Sequence, residues 1–513
     1  MMPRVAIIGA GPGGLGAAML LSRAGVPVTL FDQHREVGGR TRTIEAGNYR
    51  FDLGPTFFLY PRILEEIFAA CDRNLHSEVE LVRLDPMYRL LYGDGSELEV
   101  TSDPQRMAAS IEQLSPEDGP NYSRYMEDTR RKFERFRPCL QRPFLSWRDT
   151  LSPSVLRLLP WLRPWQSVEG ELRRYFRDSR VRLAFTFQSK YLGMSPFKCP
   201  SLFSILPYLE HDFGVYHPIG GCGEVSKAMG RVAEDLGVEL RLGEPVREIL
   251  FEGKRAVGLR TDAGEFQADA LIVNADFARA MKKLVPNHLR RRWRDSRIAK
   301  KKFSCSTFMM YLGIEAPCDQ LAHHSIYLPS DYSGILDDIE THHRLSDDPA
   351  LYIQNAGVTD TTLAPRGHST LYVLAPVTHQ HANVDWSVEK ARFRNLVMKR
   401  LSKLVPDLEG RIRVERIVTP AQWDLDEGIH LGATFNLAHN LGQMLHRRPR
   451  NRFEDVDGVY LTGGGTHPGS GLPVIYESAR ITARLLLADW NQPTAWLDPP
   501  DCPSALVSVE DER

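Results

Sequence analysis

Residues 5–14 read Val-Ala-Ile-Ile-Gly-Ala-Gly-Pro-Gly-Gly, and this stretch decides the fold. Val5-Ala6-Ile7-Ile8 is short and mostly β-branched, the pattern of a strand buried on both faces of a parallel sheet. Gly9, Gly11 and Gly14 follow at once as G-x-G-x-x-G. Leu15 to Ala24 is rich in Ala and Leu, with Gly16 as its one breaker, and predicts a helix. Val28-Thr29-Leu30-Phe31 then gives a second strand ending in Asp32. Each part has a task in holding a dinucleotide. Gly9 permits the tight turn, Gly11 lets a pyrophosphate approach the backbone, and Gly14 allows close helix–strand packing. The helix N-terminus offers N–H groups and a positive dipole end to the phosphates. Asp32 is placed to accept hydrogen bonds from a ribose, and an acid there disfavours NADP.

Working outward, 513 residues predict two to four structural units at roughly 100–200 residues each. Hydrophobic residues make up 42%, mean hydropathy is −0.31, and 64 Lys+Arg stand against 65 Asp+Glu. These values exclude collagen-like, disordered and disulfide-scaffold classes. A net charge of −1 argues against nucleic acid as a partner, because such proteins carry a basic footprint. Seven scattered cysteines without a C-x-x-C pair predict reduced thiols in a reducing compartment. The apolar run from Val5 to Phe31 is broken by glycines and by Pro12 and Pro27, so it reads as strand–turn–helix–turn–strand rather than a membrane span. The N-terminus shows no signal-peptide cleavage pattern.

Gly38-Gly39-Arg40 follows Asp32 closely. The whole stretch from Gly9 to Arg40 resembles the FAD-binding fingerprint of the flavin amine oxidase and phytoene desaturase superfamily. There the second glycine pair and its arginine lie along the FAD phosphates and flavin edge. Phe51-Asp52-Leu53-Gly54-Pro55-Thr56 resembles the segment that passes near the flavin, and Val246 matches the position whose backbone meets adenine. Near the C-terminal end, Gly463-Gly464-Gly465-Thr466-His467-Pro468-Gly469-Ser470-Gly471-Leu472-Pro473 follows an Arg448-Pro449-Arg450-Asn451-Arg452 element. With His217-Pro218-Ile219-Gly220-Gly221 and Asp269–Asp276, these motifs resemble bacterial carotene desaturases of the phytoene desaturase type. The resemblance runs from residue 5 to about 489 and implies FAD contacts at Gly464, Gly465, Pro473, Val474 and Ile475. Two positions depart from it. Gly465 stands where the superfamily usually carries an acid, and Val474-Ile475-Tyr476-Glu477 follows Pro473 where many phytoene desaturases have glycine and small apolar residues.

The implied fold is α/β: a doubly wound, Rossmann-like FAD-binding domain assembled from residues 1–75, 210–285 and 420–490. Residues 76–209 and 286–419 would form an inserted α+β substrate domain with a helical, membrane-facing part. Phe303–Ile314 and Leu371–Thr378 are strand-like runs that suit a pocket wall, and 491–513 reads as a flexible tail. Phe144–Trp165 packs three tryptophans and several leucines beside arginines. That composition suits either a core helix or a headgroup interface. A lipid-soluble substrate favours the interface, hence a cytoplasmic protein held peripherally, as a monotopic protein, on the inner face of the membrane.

Desaturating an unactivated hydrocarbon needs a two-electron acceptor, which acid–base residues cannot provide. The resemblance therefore implies an FAD-dependent desaturase of a carotenoid precursor, phytoene or a C30 relative, reoxidised by oxygen or a quinone. His217, His467 and Glu477 lie in motif segments and are candidates to assist proton removal. His323-His324, His342-His343 and His379-Gln380-His381 lack Cys or carboxylate partners at ligand spacing, so no metal is expected. A carotenoid oxygenase, a cis–trans isomerase and a non-enzymatic prenyl-lipid escort protein are the alternative readings.

Overall fold

The computed structural model describes residues 3–498. Five parallel strands form the sheet that the opening motif predicts, in the order Glu239–Leu242, Val28–Asp32, Val5–Ile8, Ala270–Val273, Val459–Leu461. Val5–Ile8 lies at the centre and every residue of it is buried, which is why the run tolerates no polar side chain. Helix Pro12–Arg23 leaves this strand and packs against helices Cys222–Asp235 and Leu472–Asp489. A Cβ on Gly16 would stand 3.1 Å from the Ala479 Cβ, so small residues set the spacing of the first and last helices.

The second large element is a seven-stranded mixed sheet. Its order is 412–418, 306–314, 369–377, 351–355, 324–328, 88–92 and 97–100, antiparallel except where 324–328 runs beside 88–92. Alternation along the fully buried strand Ser306–Ile314 sorts its side chains to two cores. Phe308, Met310 and Leu312 pack under helix Trp386–Leu404, while Met309 and Tyr311 meet Phe51, Leu53 and Trp423. The Tyr311 hydroxyl donates to Leu53 O (2.5 Å) and that of Tyr372 to Gly54 O (2.6 Å). Residues 53–54 are thereby fixed to the large sheet.

Packing near three of the expected domain limits is specific. Trp293 and Ile298 share a core with Phe277 and Val459, so the chain stays on the parallel-sheet side well past residue 285. Their large apolar side chains find cover there. Past residue 419, Trp423 still donates its indole N–H to Thr307 O (3.2 Å), on the large sheet. Of the tail, residues 491–498 are tied down, because Leu497 is buried and Arg484 pairs with Asp498 (2.6 Å). Residues 499–513, including Cys502, lie outside the described residues. The other six cysteines are free and buried.

Phe144–Trp165 folds as three short helices, Trp147–Thr150, Pro153–Leu156 and Leu159–Leu162. Each is too short to bury a full apolar stripe, and Trp147 (58%) and Trp165 (68%) stand exposed. Among the described residues, no helix is long and apolar enough to cross a membrane.

The first turn makes the tightest demand on side-chain size. A Cβ on Gly14 would lie 2.0 Å from Gly9 O. Gly14→Ala should therefore cost about 1–3 kcal/mol through overpacking, read as a lower midpoint in urea unfolding. A midpoint equal to that of the parent would show that the turn relaxes freely.

Candidate functional site

Gly9 adopts φ +107°, and a Cβ there would stand 2.5 Å from Asn274 O. The Asn274 carboxamide donates to Gly9 O (3.0 Å) and closes the turn from the neighbouring strand. Helix Pro12–Arg23 starts with neither a side-chain cap nor an acid in its first turn, which leaves its positive end for a ligand anion. Gly11 lies against the same carboxamide, where a Cβ would be 3.1 Å from Nδ2. Asp32 is buried at the end of its strand, accepting Ala10 N (2.7 Å) and His34 N (2.8 Å). Those bonds fix the carboxylate and leave it further acceptor sites.

The second glycine pair is stitched to the first. Gly38 N donates to Ala10 O (2.8 Å), and a Cβ on Gly39 would stand 3.3 Å from the Gly11 Cα. Arg40 donates to Thr434 O (2.7 Å). Burial pulls its pKa down, against the opposing charges of Asp276 and Glu427. Gly54 packs onto Arg40, since a Cβ there would be 2.6 Å from Arg40 O. Val246 is buried in the loop beside Asp32, where Glu244 N donates to Asp32 O (2.8 Å). Gly9, Gly11, Gly14, Asp32, Gly38, Gly39, Arg40, Gly54 and Val246 thus gather around the carboxyl ends of the central parallel strands. At Gly9, Gly14, Gly38, Gly39 and Gly54 neighbouring backbone already stands where a Cβ would go, and at Gly11 the Asn274 carboxamide does.

The C-terminal loop is built around buried polar groups that the sequence reading quoted but gave no task. Arg448 is fully buried and donates to Gly464 O (2.7 Å), Thr466 O (3.0 Å) and Leu437 O (3.3 Å). With carbonyls alone around it, burial pulls its pKa down to about 9. Asn451 donates to His467 O (3.1 Å) from the same motif. Gly465 has no room for the superfamily's acid, because a Cβ would lie 2.7 Å from the Phe277 Cβ and 3.1 Å from the Asn436 amide oxygen. A Cβ on Gly464 would stand 3.2 Å from Ser470 Oγ. Pro473, Val474 and Ile475 form the first turn of helix Leu472–Asp489, which also starts without a side-chain cap or an acid. Pro473 and Val474 line an apolar cleft with Tyr60, Ile63, Phe133 and Leu140.

The three proton-transfer candidates do not converge. His217 Nε2 lies 3.0 Å from Asp360 Oδ2, both side chains fully buried. Burial opposes Asp360's charge. Hydrogen bonds from His217, Thr362 and Gly220 N outweigh it and hold the carboxyl well below the usual range. His467 donates from Nε2 to Arg142 O (3.0 Å), and burial pushes its pKa down to about 3, so it stays neutral. Glu477 is paired with Arg480 (2.6 Å), which also reaches Glu66 (2.8 Å). Sequence reading missed Asp52 as well: it accepts Gly223 N (3.3 Å) at the start of helix Cys222–Asp235, and burial pushes its carboxyl up to about 6. The polar residues within the Asp269–Asp276 segment, which ends Asn274-Ala275-Asp276, and within Arg448–Arg452 were the available signal for Asn274, Arg448 and Asn451.

Arg448→Met removes three donors from three carbonyls. Leaving these unpaired should lower stability by about 1–3 kcal/mol and loosen the Gly464–Thr466 backbone, seen as early amide exchange there. Parental exchange rates in that loop would show that Arg448 does not brace it.

Comparison with known proteins agrees with this geometry. The family model described as flavin containing amine oxidoreductase matches residues 12–487. The chain is 43% identical over 485 residues to a 4,4′-diapophytoene desaturase (4,4′-diapolycopene-forming) from Methylomonas sp, covering 94% of each chain. It is 39% identical to an all-trans-zeta-carotene desaturase from Myxococcus xanthus, covering 94% of this chain and 93% of that one. The solved structure of an oxidoreductase from Methanosarcina mazei superposes with a TM-score of 0.61 at 16% identity, covering 93% of this chain and 98% of that one, and shows the shared fold. FAD is accordingly the cofactor, and the uncapped helix ends and side-chain-free turns fit it. The chain belongs to the flavin containing amine oxidoreductase family, as one of its FAD-dependent carotenoid desaturases.

Proposed function

We propose that this enzyme desaturates an acyclic C30 precursor of the 4,4′-diapophytoene type. The observation that carries the reading is the 43% identity to a relative named for that substrate, against 36% and 35% to relatives named for phytoene. In the proposed site, Gly9, Gly11, Gly14 and the start of helix Pro12–Arg23 hold the pyrophosphate, Asp32 the ribose, and the Val246 backbone the adenine. Gly38, Gly39, Arg40, Gly54, Gly464, Gly465, Pro473, Val474 and Ile475 line the flavin. FAD supplies a two-electron hydride acceptor. The chain's own part is to hold an extended apolar molecule in register and keep water out. The cleft of Tyr60, Ile63, Phe133, Leu140 and Val474, lined also by Arg62, Glu66, Arg137 and Glu477, offers part of an isoprenoid chain an apolar wall beside the start of helix Leu472–Asp489.

The proposal includes docking on the inner face of the membrane. Trp147, Leu151, Leu156, Trp161 and Trp165 are exposed within one short stretch. Trp165 shares a surface recess with Lys300, Lys301, Lys302 and Leu441. Exposed indoles beside lysines suit an anionic headgroup layer and give a lipid-soluble substrate a short path to the cleft. Oxygen or a membrane quinone would then reoxidise the flavin.

Expression in a host that accumulates colourless diapophytoene tests the reaction. The expected product is a coloured polyene, lighter by two hydrogens for each double bond formed. Oxygen gain, or an isomer of unchanged mass, would replace this reading with an oxygenase or an isomerase, and conversion of phytoene alone would move the substrate to C40. Replacing Trp147, Trp161 and Trp165 together by Ala should abolish sedimentation with anionic liposomes while flavin content stays intact. Undiminished sedimentation would remove the docking surface from the proposal.

A further inference from the structure

Buried carboxyl groups in this fold nearly all meet a cation, a histidine or backbone amides. Asp32 and Asp52 accept amides, Asp360 accepts His217, Glu171 is paired with Arg163, and Glu477 with Arg480. Among the buried carboxyls of the described residues, Glu210 alone has none of these partners. It sits on helix Ile205–Phe213 with no exposed surface. Its Oε2 accepts the Tyr88 hydroxyl (2.9 Å) and the Gln188 amide (2.9 Å), whereas Oε1 is buried without a hydrogen-bond partner. The Tyr191 hydroxyl faces the same carboxyl without good hydrogen-bond geometry. Burial pushes Glu210 up to about 7, against those neutral donors.

The surroundings are aromatic. Tyr88 meets Phe187 (5.4 Å between ring centres) and Phe57 (6.0 Å), and Tyr191 meets Phe57 (5.4 Å). Phe57 directly follows Gly54-Pro55-Thr56 and meets Tyr88, whose hydroxyl bonds Glu210, so these rings link Glu210 to the segment assigned to the flavin. Ring faces stabilise nearby positive charge, and a hydrocarbon losing a hydride becomes positively charged. An apolar site with a bare carboxylate oxygen among such rings suits one demand of the reaction, which is to take a proton from carbon without water.

We propose that Glu210 accepts the substrate proton and that Phe57, Tyr88 and Tyr191 form the wall facing the developing cation, an inference that rests on the desaturase reading above. One substrate carbon loses a hydride, with both bonding electrons, to the oxidised flavin. The C–H bond of its neighbour breaks, and that electron pair becomes the second bond of the new C=C. The released proton binds Oε1 of Glu210. The other titratable groups of the cluster stay silent near neutrality. Burial holds the Tyr88, Tyr125 and Tyr191 hydroxyls well above their usual pKa, and pushes His211 down to about 3.

The test uses flavin-loaded enzyme in liposomes with diapophytoene and a quinone, followed from pH 5 to 9. Wild-type kcat should rise with pH and level off above about 7. E210Q should lose about 100-fold or more in kcat at unchanged KM and flavin content, the lower end of the general-base contribution. E210D should keep a reduced rate with a displaced limb, and Y88F, which withdraws a donor from the carboxylate, should move the limb to higher pH. Thermal unfolding gives a readout independent of turnover. A carboxyl whose pKa is raised on folding stabilises the fold at low pH, and that stability is lost as pH rises from its unfolded value through about 7. The wild-type midpoint should therefore carry a downward component between pH 4.5 and 8 that E210Q lacks. E210Q within tenfold of wild type with the same limb would overturn the proposal. So would a limb that vanishes in H217Q but persists unmoved in E210D, which would make His217 the acceptor. Should E210Q fail to hold flavin, limbs unmoved in E210D and Y88F overturn it. Wild type that binds flavin yet converts no precursor would instead defeat the desaturase reading, and this inference with it.

Discussion

The position of the Asn274 carboxamide is the constraint on which this structure depends. Its nitrogen holds Gly9 O, and its oxygen stands where a Cβ on Gly13 or Gly463 would come within 2.7 Å. One side chain thus gathers three backbone segments, from residues 9–14, 274 and 463, that are far apart in sequence. The glycines follow from that crowding as much as from any ligand. Closing such long loops costs entropy that grows only slowly with length. The sheet supplies the compensation: Asn274 follows strand Ala270–Val273, which is buried and paired in parallel with the central strand Val5–Ile8, and its own N–H donates to Ile8 O (2.8 Å).

A second set of contacts sets the large sheet against this turn. Three tyrosines from adjacent strands reach successive points of one segment: Tyr311 to Leu53 O, Tyr372 to Gly54 O, and Tyr352 OH to Thr56 Oγ1 (2.6 Å). Each ring packs in the core while its hydroxyl satisfies a buried polar atom, so the pairing is favourable at both ends of the side chain. Burial raises the pKa of all three phenols and keeps them uncharged. The segment between the sheets is therefore held by neutral groups, and no charge is introduced beside an apolar substrate path.

Local pattern made the parallel sheet legible. Val5–Asp32 and the Leu472 helix start carry their own turn chemistry, and Ser306–Ile314 and Ser369–Val377 announce themselves by β-branched and aromatic content. Illegible features depend on partners far along the chain. His217 meets Asp360 across 143 positions, and Glu210 meets Tyr88 across 122. Sequence shows that such residues exist but not which of them are left without a counter-charge, and that absence is what sets Glu210 apart. The motif marked Arg448 but not its task, for a related reason. An arginine normally signals an anion, whereas here it braces carbonyls that become acceptors only once the loop has folded. The packing past residue 285 was equally hidden, because Trp293 and Ile298 are apolar without period, and only the packed core shows which side they cover.

The exposed tryptophans bear on the same question of where charge and water are allowed. Trp293, Trp386 and Trp423 are buried, so this fold has room for indoles in its cores. Trp147, Trp161 and Trp165 fall within 19 residues of one another and stay outside, the first two on helices of four residues and Trp165 in the turn that follows, with arginines between them. Arg135 lies 4.0 Å over the Trp161 ring, holding that indole at the surface by cation–π attraction. A monomer gains nothing from leaving such area in water, since burying it would contribute about 25 cal/mol per Å². On the proposed reading the area is buried in lipid instead. An entirely apolar substrate then passes from the bilayer to the cleft by exchanging one apolar environment for another, and the hydrophobic effect that would oppose its release into water never has to be overcome.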